Sequence, residues 1–288
     1  MIIQWYPGHM AKAKRLLQES LKLIDVVIEI VDARAPIATR NPDFDTLFQN
    51  KDRVIILNKA DLADKNENKR WIEYYKANGI KAIECIATHT SKRKNEIALI
   101  EEAAKEKVER FKAKGIAKTV RAMIVGIPNV GKSTFINSIA GLNRAQVGDK
   151  PGVTKGKQWV KISPYLELMD TPGLLWPKLE DEKLARHVAF IGSVRDDILD
   201  VEELAGLLLS CLMTHCKDEL CVRYKKIEDG MTESELLCAV AKSRGFILQG
   251  GIYDTERAAR IVLDEFRGGK IAKITLDKVS DMNKNSEE

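Results

Sequence analysis

Gly126-Ile127-Pro128-Asn129-Val130-Gly131-Lys132-Ser133 fits G-x-x-x-x-G-K-[ST], the pattern of a phosphate-binding loop. The apolar run at 120–125, broken by Arg121, reads as a buried strand leading into it. Residues 133–140 read as a helix leading out, with Phe135, Ile136 and Ile139 at helical spacing. Strand, loop and helix are the context this motif needs. Its glycines let the backbone close around phosphate oxygens, so that N–H groups and the helix N-terminus face the anion. On this reading Asn129, Val130, Gly131, Lys132, Ser133, Thr134 and Phe135 contact a nucleotide. Lys132 reaches the β- and γ-phosphates and the Ser133 hydroxyl holds Mg²⁺.

Two further motifs extend the site. Downstream, Pro151-Gly152-Val153-Thr154 precedes two strands, at 158–162 and 165–169, that read as a hairpin. The second ends in Asp170-Thr171-Pro172-Gly173. A strand ending in D-x-x-G after a P-loop is expected to sense the γ-phosphate: Asp170 through Mg²⁺, Gly173 through its N–H, with Thr154 as the second Mg²⁺ hydroxyl. Upstream, the strand at 53–57 (RVIIL) ends in Asn58-Lys59-Ala60-Asp61. N-K-x-D at the C-terminal end of a buried strand suits guanine. A carboxylate at Asp61 accepts from N1–H and the 2-amino group, while Asn58 meets the O6/N7 side. Adenine lacks those donors, and an unpaired buried carboxylate is costly.

The remaining chain alternates strand and helix up to about residue 180. A helix is expected at 12–23, a strand at 26–31 (VVIEIV) closing in Asp32-Ala33-Arg34, and a helix near 43–49. A helix at 66–77 follows with Trp71, Ile72 and Tyr75 inward, then a strand at 82–87 and a long charged helix at 95–114. Ser91-Lys92-Arg93-Lys94 reads as a basic turn. From 181 onward the strand pattern stops, and helices are expected at 182–192, 201–215, 232–243 and 254–267. The fold class is therefore α/β for 1–178, a mostly parallel sheet with helices on both faces. An all-helical domain spans 179–279, and 280–288 is a polar tail expected to be disordered.

The chain has 288 residues of ordinary globular composition and no apolar run long enough to cross a membrane. The first residues lack the pattern of a secretory signal, so a cytoplasmic protein with no membrane partner is expected. Five cysteines without tight pairing argue against a disulfide framework. Cys211, Cys216 and Cys221 beside His215 invite a zinc reading, but five-residue steps on a helix fan around its axis, and ordinary thiols are expected instead. Residues 1–180 carry 31 Lys and Arg against 21 Asp and Glu, whereas 181–288 carry 16 against 21. The first part suits a polyanion such as RNA; a solvated basic surface is the alternative.

The order of the motifs is unusual: N-K-x-D comes before the P-loop. Rotating the chain restores the usual succession, with the join falling in the helix at 95–114. That permutation, with PGHM at 7–10, DARAP at 32–36, NKAD at 58–61, GIPNVGKS at 126–133, PGVT at 151–154 and DTPGLLWP at 170–177, resembles the bacterial ribosome-assembly GTPases of the RbgA/YlqF family. The resemblance spans essentially the whole chain. It implies a circularly permuted GTPase that hydrolyses GTP to GDP during late maturation of the large (50S) ribosomal subunit. The particle would stimulate it, it would contact rRNA, and it would act as a monomer. The alternative is a nucleotide-regulated rRNA placeholder in which hydrolysis is incidental.

The glutamine that orients water in many GTPases is replaced by Leu174, followed by Leu175 and Trp176. The resemblance implies that His9 of PGHM takes its role, with Lys132 as the second catalytic residue. Asn129 matches the asparagine of potassium-stimulated GTPases and would hold K⁺. Two departures stand out. Ile86-Ala87-Thr88 replaces the usual base-contacting S-A-K, which leaves backbone contacts from 86–88 as the expectation. The helical domain, assigned to RNA contact, is net acidic, with basic groups only locally at Arg223, Lys225, Lys226, Arg257 and Arg260.

Overall fold

The computed structural model describes residues 15, 17–89, 93–141, 158–171, 173 and 181–284. Six strands form one sheet: β1 (Val26–Asp32), β2 (Asp52–Asn58), β3 (Lys81–Cys85), β4 (Val120–Val125), β5 (Gln158–Ser163) and β6 (Leu166–Asp170). Their spatial order is β3-β2-β1-β4-β6-β5. Every neighbouring pair is parallel except β5 and β6, which form the expected antiparallel hairpin. Counted from the P-loop strand β4, the same sheet reads 2-3-1-4-5-6. The rotated chain order inferred from the motifs is thus also a coherent sheet order.

β1 is buried along its whole length, as a central parallel strand covered on both faces must be. Glu29, in its middle, faces Arg53 at 2.7 Å and Arg40 at 3.5 Å. Burial nevertheless pushes the Glu29 carboxyl above its usual range, against the pull of both cations.

The helices around the sheet are α1 (Asp43–Leu47), α2 (Lys65–Ala77), α3 (Lys94–Ala103), α4 (Lys105–Lys112) and α5 (Lys132–Ala140). Asp64 caps α2 by accepting from the Asn66 and Glu67 N–H groups. Trp71 and Tyr75 of α2 are buried against Val31, Ile55 and Leu57, and Ile72 packs at the edge of that cluster. The single helix expected at 95–114 is two. Ala104 is buried at the break, and its N–H is shared between the Ile100 and Glu101 carbonyls. Of the helix expected at 12–23, residues 15 and 17–21 are helical and 22–23 form a turn; 12–14 and 16 lie outside the described residues.

Beyond residue 181 come α6 (Glu182–Phe190), α7 (Val201–His215), α8 (Lys217–Arg223), α9 (Glu233–Arg244), α10 (Thr255–Arg267) and α11 (Val279–Lys284). Asp181, Asp200, Thr232 and Asp254 cap α6, α7, α9 and α10, each an interaction of about 1 kcal/mol. Two helices were not expected. α8 is a seven-residue segment with Leu220 as its buried residue, too short to show a period. α11 occupies the stretch read as a disordered tail, and Val279 and Met282 pack on the Trp71–Tyr75 cluster.

The apolar core continues from the sheet into the helices, through Ile124, Val188, Leu208 and Val262. After α10 the chain returns to the sheet. The Leu276 N–H donates to the Arg34 carbonyl at 2.6 Å, and the Asp277 carboxylate accepts from the Ala38 N–H at 2.7 Å. The Trp71 indole donates to the Asp277 carbonyl at 3.0 Å.

Candidate guanine-nucleotide site

The parallel register aligns the ends of the strands. Asp32 ends β1 opposite Asn58 at the end of β2. Gly126 follows β4, and Asp170 ends β6. All four therefore lie at the C-terminal edge of the sheet, where α/β folds bind ligands. The N-K-x-D and P-loop motifs, 68 positions apart in the chain from Asn58 to Gly126, end strands on either side of β1 and meet there through Asn58 and Lys59.

The P-loop is held by close backbone approach. A Cβ at Gly126 would lie 2.5 Å from the Ile30 carbonyl oxygen, and one at Gly131 would lie 2.3 Å from Asn58 Nδ2. Both glycines have positive φ, at +150° and +96°, so no other residue fits. Lys132 is buried, and its ammonium donates to the Gly126 and Ile127 carbonyls at 3.1 and 2.8 Å. Burial pushes its pKa down to about 8, with Asp170 opposing the shift. The Ser133 hydroxyl donates to Asp170 Oδ2 at 3.2 Å. A hydroxyl beside a buried carboxylate is a hard-oxygen donor set, and it fits Mg²⁺. The Thr171 hydroxyl donates to the Ile124 carbonyl at 2.6 Å and ties the start of DTPG to the P-loop strand. Gly173 lies against the loop: a Cβ there would stand 2.9 Å from the Pro128 nitrogen and 3.1 Å from Lys132 Nζ.

At the base end, Asn58 joins two loops. Its Nδ2 donates to the Val130 carbonyl at 2.8 Å, and its Oδ1 accepts from the Ala87 N–H at 3.0 Å. The side chain is buried between the P-loop and the 86–88 loop and splints those two loops together. Asp61 stands half-buried in the short turn Ala60–Leu62. Ile86, Ala87 and Thr88 form a turn closed by the His89 N–H on the Ile86 carbonyl at 3.0 Å.

Arg93 is the residue sequence reasoning missed here. It is buried, not solvated. Its guanidinium donates to the carbonyls of Ile86 and His89 and to Ser138 Oγ on α5, and it pairs with Glu96. One fork thus fixes the turn 86–89 to the P-loop helix. An arginine in a basic run carries no sequence signal for that.

DARAP supplies a second unread contribution. Asp32 is fully buried and receives a two-pronged bond from Arg34, with Nε at 2.9 Å and Nη2 at 2.7 Å. Lys59 meets the same carboxylate at 2.9 Å and donates to the Asn129 carbonyl at 2.8 Å. Burial alone would raise the Asp32 pKa, but Arg34 and Lys59 outweigh it and hold the carboxyl well below the usual range. Lys59 and Asn129 both adopt left-handed backbone, at φ 58° and 62°, where non-glycine residues need support.

His9, Thr154 and Leu174–Trp176 lie outside the described residues. The five cysteines are free thiols. Cys211 Sγ lies 3.7 Å from His215 Nδ1, and among the described residues no group of three or more His, Cys, Asp or Glu is placed to hold a metal. Of the local basic groups, Arg223 is engaged by Glu265 and Arg260 by Glu256, whereas Lys225, Lys226 and Arg257 are exposed. Among the described residues no helix is long and apolar enough to cross a membrane.

A P-loop at the centre of this sheet, with N-K-x-D packed against it from an earlier strand, defines a circularly permuted P-loop GTPase. Residues 121–235 match the profile of a family described as 50S ribosome-binding GTPase. The chain is 46% identical to ribosome biogenesis GTPase A of Bacillus cereus over 278 residues, covering 96% of this chain and 94% of that one. It is 32% identical to the Thermotoga maritima protein of the same name over 280 residues, 97% of this chain and 96% of that one. Two solved structures of YlqF from T. maritima match it. The GNP-bound form has a TM-score of 0.65 at 29% identity, covering 93% of this chain and 98% of that one. The GDP-bound form has a TM-score of 0.66 at 28% identity, covering 92% and 99%. The chain belongs to the ribosome biogenesis GTPase A family.

Proposed function

We propose that this protein hydrolyses GTP to GDP and phosphate during late assembly of the large ribosomal subunit, and that the subunit stimulates it. The observation that carries this reading is the packing of N-K-x-D on the P-loop through Asn58 and Lys59, which makes one site from guanine-reading and phosphate-binding segments. Asp61 reads N1–H and the 2-amino group of guanine, and the backbone of 86–88 meets the O6 side. Residues 129–135 wrap the phosphates, with Lys132 neutralising their charge and the Gly173 N–H facing the γ-phosphate.

Ser133, Asp170 and Thr154 would hold Mg²⁺, which supplies charge neutralisation across the β- and γ-phosphates. His9 orients the attacking water, since Leu174 cannot hydrogen-bond it. Asn129 would hold K⁺, which would supply the charge stabilisation that an arginine finger gives elsewhere. The helical part beyond 179 and the basic first part contact rRNA, with Lys225, Lys226 and Arg257 as the helical contribution. The protein works as a cytoplasmic monomer.

The test is GTP turnover with and without purified large subunits in potassium buffer. Stimulation by the particle is expected, together with its loss in His9→Ala. Turnover that large subunits leave unchanged, with GTP binding intact, would refute the assembly role of hydrolysis.

A further inference from the structure

Arg267 ends α10, far from every nucleotide motif in the sequence. Its side chain knits the turn after α6. Nε donates to the Phe190 carbonyl and Nη2 to the Ala189 carbonyl, both at 3.0 Å. The guanidinium also pairs with Asp196, Nη1 at 2.6 Å and Nη2 at 2.8 Å. It lies flat against Gly192, where a Cβ would stand 3.0 Å from Nε, and Gly192 has φ +76°. That turn is therefore fixed both by its glycine and by the arginine stacked on it.

The Gly192 carbonyl, so placed, accepts from Asn129 Nδ2 at 2.7 Å. A carbonyl can only accept, so the contact also sets which way the Asn129 amide is turned. The backbone of Arg267 makes the return connection. Its carbonyl accepts from Arg34 Nη1 at 3.1 Å. Arg34 holds Asp32, Asp32 holds Lys59, and Lys59 donates to the Asn129 carbonyl. Two paths from one arginine thus converge on one P-loop residue, one at its side chain and one at its backbone. Asn129 is also the non-glycine P-loop residue in the left-handed conformation, which persists only where surroundings over-determine it. Immediately after α10, a Cβ at Gly269 would lie 2.7 Å from Leu62 Cδ2, so the same helix end presses on the N-K-x-D turn.

We propose that Arg267 is a positioning residue for the nucleotide site, holding Asn129 and Lys59 in place through the Gly192 turn and the Arg34–Asp32 pair. It follows that nucleotide binding and the arrangement of the α6–α10 junction are coupled, because coupling between two sites is reciprocal. This rests on the guanine-nucleotide reading above. A wild-type chain that fails to bind GDP breaks that reading, whereas wild-type binding with an indifferent Arg267→Met breaks this one alone.

The experiment compares Arg267→Met, Arg267→Lys and Asp196→Asn in the full chain, measuring GDP affinity, GTP KM and kcat, and urea stability. Arg267→Met keeps the stem but loses every guanidinium bond. Asp196→Asn weakens the ion pair within the helical part and leaves the guanidinium bonds to residues 189 and 190, while the bond from Arg34 to the 267 carbonyl is kept in every variant. Arg267→Met is expected to weaken GDP binding about tenfold, with Arg267→Lys recovering part of it and Asp196→Asn leaving affinity unchanged. If affinity stays at the wild-type value in Arg267→Met, or falls in all three variants in step with lost stability, the arginine is merely structural. A wild-type measurement stands beside these should Arg267→Met not fold. Added GDP should slow amide hydrogen exchange in 189–195 and 267–270. Protection confined to 58–61, 86–89 and 126–135 would overturn the proposal.

Discussion

Asp32 and Glu265 are both buried carboxylates held by two cations, yet their networks lead to different places. Glu265 accepts from Arg223 at 2.9 Å, Arg244 at 2.8 Å and the Tyr224 hydroxyl at 2.7 Å, all within the helices beyond 181. Burial opposes its ionisation, but Arg223, Tyr224 and Arg244 together hold its pKa below the usual range. The network ends there. Asp32 has the same balance of burial against cations. Its partners, however, continue to the Asn129 carbonyl on one side and the Arg267 carbonyl on the other. A buried ion pair therefore says little about function until its outward bonds are followed.

The largest expected effect separates the two carboxylates. Asp32→Asn leaves Arg34 and Lys59 facing each other without a counter-charge, a loss of about 3–5 kcal/mol for a broken buried pair. Denaturant unfolding should show that loss, and GTP KM should rise with it. Glu265→Gln should cost about 2 kcal/mol in the same unfolding measurement while leaving GTP KM unchanged. An equal rise in KM for both would erase the distinction.

Arg93→Ala should act on base recognition without touching either network. Freeing the turn 86–89 from α5 is expected to reduce the preference for GTP over ATP by about tenfold, read by competition for a fluorescent GDP analogue. A uniform weakening of both nucleotides would place Arg93 on the phosphate side instead.

A pH series sharpens the comparison on the Glu265 side. Its folded pKa is depressed, so its contribution to stability is fully present above the unfolded value and lost as pH falls through the folded one. Urea unfolding of wild type should weaken as pH drops below about 4.5, and the wild-type advantage over Glu265→Gln should shrink across that window. An advantage independent of pH would mean the carboxylate is not the stabilising form. The smallest effect is expected from deleting 279–288, which exposes the cluster beneath Val279 and Met282 and should cost about 1 kcal/mol of unfolding free energy.

The sheet was legible because fully buried parallel strands such as β1 leave unbroken apolar runs, and because the motifs mark the strand ends. The permutation was legible from motif order alone. What sequence could not give was the second half of each contact. Arg93 reads as one more base in a basic run, Arg267 as the last residue of a charged helix, and Gly192 as the end of the helix expected at 182–192. Asn58 has a further contact of that kind: besides standing in its motif, it ties the P-loop to the 86–88 loop. The helix at 279–284, which takes in the start of the stretch read as a tail, was not legible because two apolar residues in a polar stretch, Val279 and Met282, give no period to count.

The claim on which everything else depends is that N-K-x-D at 58–61 reads the base of a nucleotide whose phosphates sit in the P-loop at 126–133. Asp61→Asn tests it most directly. Asparagine offers an N–H where the carboxylate accepted, which mismatches the 2-amino group of guanine and suits the 2-oxo group of xanthine. Nucleotide affinity and turnover should switch from GTP to xanthosine triphosphate, with the stability of the chain unchanged. An Asp61→Asn protein that binds and hydrolyses GTP as the wild type does would contradict the account.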